Sequence, residues 1–280
     1  MLSSDTSLDH RHAHIRDLVR SASLEMTARA AAANDLDNAG LSPGTPVYIT
    51  ALPNDSANAV LATALRVHQM GLTPVPHLGA RYVTDLRQFE TLLRALVRDA
   101  GVDQVLVIGG DIDRPRGPYA SSLDLLRSGV FEGSGIRRIG LAAYPEGHAS
   151  IASDVLDRAL EEKIAQVRTI GLDPYIVSQF SFSAAPIIAW LTQMARQFAD
   201  VPIHVGIAGP ASMTTLVKFG LACGIGASLR ALRKTSIRQL ADAPPDTLVT
   251  SLAEAGGKIA GLHFFTFGGI ARTAVWMRRY

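Results

Sequence analysis

Residues 46–78 read PVYITALPNDSANAVLATALRVHQMGLTPVPHL, and this stretch decides the fold. A β-branched and aromatic run at 46–50 and an apolar run at 73–78 flank a segment rich in helix formers. In NDSANAVLATALRVHQMG, Asp55 or Ser56 is placed to cap a helix and Gly71 to stop it. Strand, helix, strand in that order implies parallel pairing through a right-handed crossover.

The same unit recurs along the chain. Eight short runs, at 23–27, 46–50, 73–78, 104–108, 137–142, 175–180, 203–207 and 262–265, alternate with helix-forming segments. In TDLRQFETLLRALVRDAG, from a capping Thr84 to Gly101, Leu86, Phe89, Leu92, Leu93, Leu96 and Val97 form one apolar stripe that should face the sheet. Eight such units without a second block of different composition predict an α/β chain forming a single (β/α)₈ TIM barrel over 1–280, with 1–20 a polar N-terminal extension or helix. The 280 residues, 48% hydrophobic and 19% charged, suffice for that core. The polar span 235–246 ends in Ala243-Pro244-Pro245-Asp246, which marks a loop or helix start.

The net charge of +2 and the lack of a basic run argue against a nucleic-acid partner. MLSSDTSLDHRHAHIRD carries no apolar stretch of signal-peptide length, and no segment reads as a membrane span, so the expected setting is cytoplasmic. Cys223 is the single cysteine, which excludes an intramolecular disulfide and a cysteine-based zinc site. It stands among small apolar residues and reads as a buried structural thiol.

In a barrel of this kind chemistry belongs to the loops after each strand. Glu25 ends the apolar stretch of the first run, in SLEMTAR, where a partly desolvated carboxyl with a raised pKa would serve as a general acid. An ion pair with Arg29 or another surface base is the equal alternative. Asp111 follows VLVIGGD, whose two glycines allow a sharp turn beside a ligand, although an Asp hydrogen-bonded to its own turn would look the same. His77 closes the third strand and His148 follows the fifth, without a third metal ligand at a typical spacing, so no metal is expected; a neutral hydrogen-bonding role or a satisfied core position is favoured. Tyr144, Gln179, Phe180 and Phe182 add aromatic and amide groups suited to a flat heteroaromatic ligand, with ordinary core packing as the other reading of the phenylalanines.

IGLAAYPEGH, residues 139–148, closely resembles the AAYPE.H signature of methylenetetrahydrofolate reductases. In the family's order around it stand SLEMTAR, VYITALPN, PHL, GGD followed by PYASSLDLL, YIVSQFSF, HVGIAGP and HFFTF. The resemblance implies a flavin-dependent barrel that interconverts 5,10-methylenetetrahydrofolate and 5-methyltetrahydrofolate by hydride transfer through FAD, in either direction, with NADH or NADPH as co-substrate. It also implies a homo-oligomer. Carried over by position, Glu25 resembles the acid that protonates the folate and Asp111 the carboxylate near flavin and pterin. Gln179, with Phe182 beside it, resembles the pterin contact. On the flavin side the matches are Thr50, His77, Asp111, Tyr119, Ala120, Tyr144 and His148, with Lys163 and Arg168 placed to meet the pyrophosphate.

The chain departs from the family at Met26-Thr27-Ala28-Arg29, where a Phe-Phe-Pro-Pro run is common, and at Gly109, where a basic residue is frequent. Met213 and Thr214 stand where relatives place a stacking phenylalanine, and glycines follow the last strand. An alternative from another class is a flavin-free folate-binding barrel acting as a one-carbon carrier or methyltransferase module. Tyr144, His148 and PYASSL argue for the flavin.

Overall fold

The computed structural model describes residues 3–28, 35–50, 52–225 and 245–280. Arg29, the alternative ion-pair partner of Glu25, and 235–244 of the polar span lie outside them. Eight parallel strands close into a barrel in sequence order, β1 pairing both β2 and β8. They are β1 Ser23–Thr27, β2 Pro46–Thr50, β3 Thr73–Gly79, β4 Gln104–Ile108, β5 Arg138–Ala143, β6 Asp173–Ser178, β7 Ile203–Ala208 and β8 Gly261–Phe265. The described helices are α1 Ser3–Arg20, α2 Ala57–Gln69, α3 Leu86–Ala100, α4 Ser122–Leu126, α5 Ser153–Thr169, α6 Ala184–Gln197, α7 Met213–Ala222, α8 Asp246–Ala255 and α9 Ile270–Met277.

The expected strands are all present; β1, β2 and β4 keep their expected bounds, and β3, β5, β7 and β8 shift by one residue at one or both ends. β6 moves by two, to Asp173–Ser178, because Asp173 and Pro174 already pair with Arg138 and Ile139 of β5. Gln179 and Phe180 therefore stand beyond the strand, in the loop over the barrel. Ser56 caps α2, its hydroxyl accepting from the Ala59 amide, while Asp55 accepts from the Leu52 amide. The cap of α3 is Asp85 in place of Thr84: its carboxylate takes the amides of Arg87 and Gln88, contributing about 1 kcal/mol as such caps do. Gly101 ends α3 at φ 62°, a conformation that costs a side chain dearly.

Period-two alternation divides the core into two layers. Leu24, Val47, Ile49, Val107, Leu141, Ile176 and Val205 point outward and bury against helix residues such as Val67, Leu93, Leu96, Ile164 and Met194. Of the α3 stripe, Phe89, Leu93 and Leu96 are buried, and Leu86, Leu92 and Val97 pack at its margin. Tyr48, Val75, Leu106, Tyr175 and Val177 fill the barrel interior. There the Tyr48 hydroxyl donates to that of Tyr175 at 3.2 Å, which donates to the Val105 carbonyl at 3.2 Å. Residues 3–20 of the expected extension form α1, whose Ile15, Leu18 and Val19 join the outer core. Among the described residues no helix is long and apolar enough to cross a membrane.

Candidate active site

At the C-terminal ends of the strands lies a cavity of about 610 Å³ whose walls include Glu25, His77, Asp111, Tyr144, His148, Gln179, Cys223, His263 and Phe265. Glu25 is at its floor. β-Sheet register sets it beside Tyr48 on one side and Phe265 on the other. One carboxylate oxygen accepts from the Thr50 hydroxyl at 2.8 Å; the other lies 3.2 Å from His263 Nε2 and 3.9 Å from His77 Nε2. The Thr266 hydroxyl donates to the Glu25 carbonyl and fixes its backbone. His263 is fully buried, with Nδ1 2.9 Å from the Ser23 hydroxyl. With the proton on Nε2, His263 donates to Glu25 while Ser23 donates to Nδ1, so both ring nitrogens are satisfied.

This arrangement corrects the expected charge of Glu25. Burial raises a carboxyl, but the His263 hydrogen bond, the nearby His77 and His263 rings and the Thr50 hydroxyl outweigh it, lowering the pKa from 4.5 to about 2. Glu25 is a carboxylate at neutral pH. His77 is the converse case: burial lowers it to about 4 against the opposing pull of Glu25, so its ring is neutral, and its buried Nε2 has no hydrogen-bond partner. It is therefore not a satisfied core histidine.

Asp111 is exposed at the rim, its amide donating to the Tyr82 hydroxyl at 2.8 Å. Tyr144 and His148 meet edge to face at 5.2 Å. Gln179 lines the cavity while its side-chain oxygen accepts from the Phe180 amide. Phe182 stands one layer back, edge-on to Phe180, in a cluster with Phe219, Phe265 and Phe267. Cys223 is half-buried on the cavity wall and not in the core as expected; burial, with Asp111 and Glu25 nearby, pushes its thiol up to about 11.

Lys163 lines an adjoining cavity of about 430 Å³ shared with Tyr144, Glu146, Ser153, Asp157 and Trp190. Burial lowers it to about 8. Tyr119 packs against the core, and the Ala120 carbonyl accepts from Arg81 Nε; neither is among the lining residues of the main cavity. Arg168 is a correction. It occupies the last turn of α5, at the opposite end of the barrel, and pairs with Asp200 at 2.6 Å. A pyrophosphate at the strand ends is out of its reach. His263, Ser23 and Phe265 are the residues that sequence reasoning missed. HFFTF was visible as a motif, and its alternation could have turned His263 and Phe265 inward, but only barrel closure sets them against Glu25.

A family model for methylenetetrahydrofolate reductase matches residues 47–268. The chain belongs to the methylenetetrahydrofolate reductase family. It is accordingly a folate-related oxidoreductase by family, and the match runs through all but the first strand. Among solved structures, a putative lyase/mutase from Burkholderia cenocepacia is similar at a TM-score of 0.50 and 16% identity, covering 96% of this chain and 86% of that one. That likeness shows the barrel alone. A 2,3-dimethylmalate lyase of the PEP mutase/isocitrate lyase superfamily aligns at a TM-score of 0.48 and 12% identity, covering 95% and 85%. Among the described residues no group of three or more His, Cys, Asp or Glu is placed to hold a metal ion.

Proposed function

We propose that the chain interconverts 5,10-methylenetetrahydrofolate and 5-methyltetrahydrofolate at this cavity, with FAD as the hydride relay and NADH or NADPH as electron donor. The observation that carries the reading is the Glu25 carboxylate at the cavity floor, held by Thr50 and His263 and facing Asp111 and Gln179 across the same space.

Two polar groups fit a flavin. His77 Nε2 is buried without a partner beside the cavity, and Lys163 is an ammonium whose burial no carboxylate offsets among the causes of its lowered pKa. A heteroaromatic ring edge would satisfy the first and a pyrophosphate the second. Tyr144 and His148 would line the ring's approach, and Thr50 and Asp111 its polar edge. A bound flavin supplies a two-electron acceptor and donor at the pterin face.

The chain's own part is the proton and the orientation. When the methyl group of 5-methyltetrahydrofolate is oxidised, the N5 iminium closes on N10 and releases the N10 proton; Glu25, already a carboxylate, accepts it. In the reverse direction the proton returns from Glu25 to N10 and the ring opens. His263 Nε2–H stabilises the carboxylate between these events, and Gln179 orients the pterin. A pterin covering Glu25 removes water from it and raises its proton affinity, which makes the acid step accessible.

The test is the visible spectrum with and without added FAD, followed by anaerobic bleaching with 5-methyltetrahydrofolate in wild type and Glu25→Gln. Bleaching by wild type that Glu25→Gln slows roughly 10²- to 10⁴-fold is the expected result. A colourless protein that binds folate but neither takes up FAD nor oxidises the methyl group would leave the folate carrier as the account.

A further inference from the structure

The three-residue turn after β3, Ala80–Tyr82, has no part in the family resemblance, yet it makes a dense set of contacts with the loop that carries Asp111. The Arg81 amide donates to the Gly109 carbonyl at 2.9 Å, and the Arg116 amide donates to the Arg81 carbonyl at 2.9 Å. The Arg81 guanidinium donates to the carbonyls of Ala120 at 2.8 Å and Ile112 at 3.0 Å. These four bonds tie the loop down at its start, middle and end.

Tyr82 supplies a fifth tie at the reacting end. Its hydroxyl accepts the Asp111 amide at 2.8 Å, and the Arg116 guanidinium lies 5.9 Å over its ring. The ring occupies space that side chains would otherwise take. A Cβ on Gly79 would lie 2.5 Å from it, and one on Gly110, whose φ is +100°, 3.0 Å from it. Both glycines are thus needed for the ring to sit against the turn.

We propose that Arg81 and Tyr82 form a clamp that preorganises the 109–120 loop, and that Tyr82 is a positioning residue acting through Asp111. An exposed carboxylate on an untethered loop would lose orientation on each cycle. With its backbone amide held, Asp111 presents its side chain to the cavity from a fixed turn. The role of Asp111 in turnover rests on the function proposed above; the clamp itself does not.

The two parts are tested separately. Arg116 is exposed and followed by Gly117, whereas Arg114 is protected by Pro115, so trypsin has one ready bond in the loop. Tyr82→Phe keeps the ring and removes only the hydroxyl; Arg81→Gln removes the guanidinium. Each should speed nicking at Arg116–Gly117 roughly 3- to 10-fold at unchanged Tm, the worth of one or two hydrogen bonds, with Arg116→Gln confirming the cut site. Unchanged nicking in both variants overturns the clamp, whether or not the protein turns over folate. For positioning, Tyr82→Phe should lower kcat for 5-methyltetrahydrofolate oxidation by the same factor with little change in KM. It should have no further effect in an Asp111→Asn background. Effects that multiply in the double variant overturn action through Asp111. A wild type without folate turnover overturns the positioning role together with the proposed function and leaves the clamp to the nicking result.

Discussion

Lowering the pH from 7 to 5 should destabilise this barrel through histidines buried in the neutral form, and His204 isolates the effect. His204 lies in β7, edge-on to Tyr175 at 5.7 Å, with Nδ1 buried and without a hydrogen-bond partner. Burial, then the electrostatic influence of the neighbouring His263 ring and Arg138, lowers its pKa from 6.5 to about 4. Because the unfolded chain takes up the proton first, stability is intact above pH 6.5 and falls as pH drops toward 4. At pH 5 the unfolded imidazole is almost fully protonated and the folded one is not, which amounts to about 2 kcal/mol for one residue. His77, also lowered to about 4, adds a similar loss over the same window. The assay is urea denaturation at pH 7 and pH 5 in wild type and His204→Gln, which cannot titrate. Wild type should lose about 2 kcal/mol more than the variant between the two pH values, other groups cancelling in the difference. An equal loss in both would refute the idea that His204 is held neutral by burial.

Four further outcomes are expected. Removing the donor with His263→Phe should raise the Glu25 pKa, moving the acid limb of the pH–rate profile upward relative to wild type. Lys163→Met should weaken FAD binding, measured by flavin fluorescence, by roughly 10-fold or more, as befits a charge-assisted contact. Arg168→Gln should leave FAD affinity unchanged and shift stability by under about 1 kcal/mol, since its pair with Asp200 is exposed. Leu93→Ala in α3, 1% exposed, should cost about 2 to 5 kcal/mol by denaturant titration without altering the spectrum of bound flavin.

Much of this molecule was legible in local patterns. Strand and helix periodicities report which face of each segment is apolar, and that is a property of neighbours in the chain, so the eight strands and the stripe of α3 could be read directly. Asp111, Tyr144 and His148 were legible as polar or aromatic groups just past strand ends, and Glu25 and Gln179 as polar groups within the first and sixth runs; all five share one cavity. Cap choice was harder: Thr84 and Asp85 are adjacent and both competent, and the backbone path at the helix start selects Asp85.

What the sequence alone determined, then, is the alternation of elements, the family signature at 139–148 and the residue types offered to the barrel's upper rim. Only the tertiary structure decided charge state and neighbourhood. Glu25 was expected to carry a raised pKa because burial was foreseeable; its lowering depends on His263, 238 residues away in the chain, meeting it across the β1–β8 seam. Arg168 stands five residues from Lys163, yet more than a turn of helix carries it to the far end of α5, while Lys163 lines a cavity at Tyr144. Electrostatic shifts arise from through-space distances of a few ångströms, which barrel closure sets and which sequence separation does not encode.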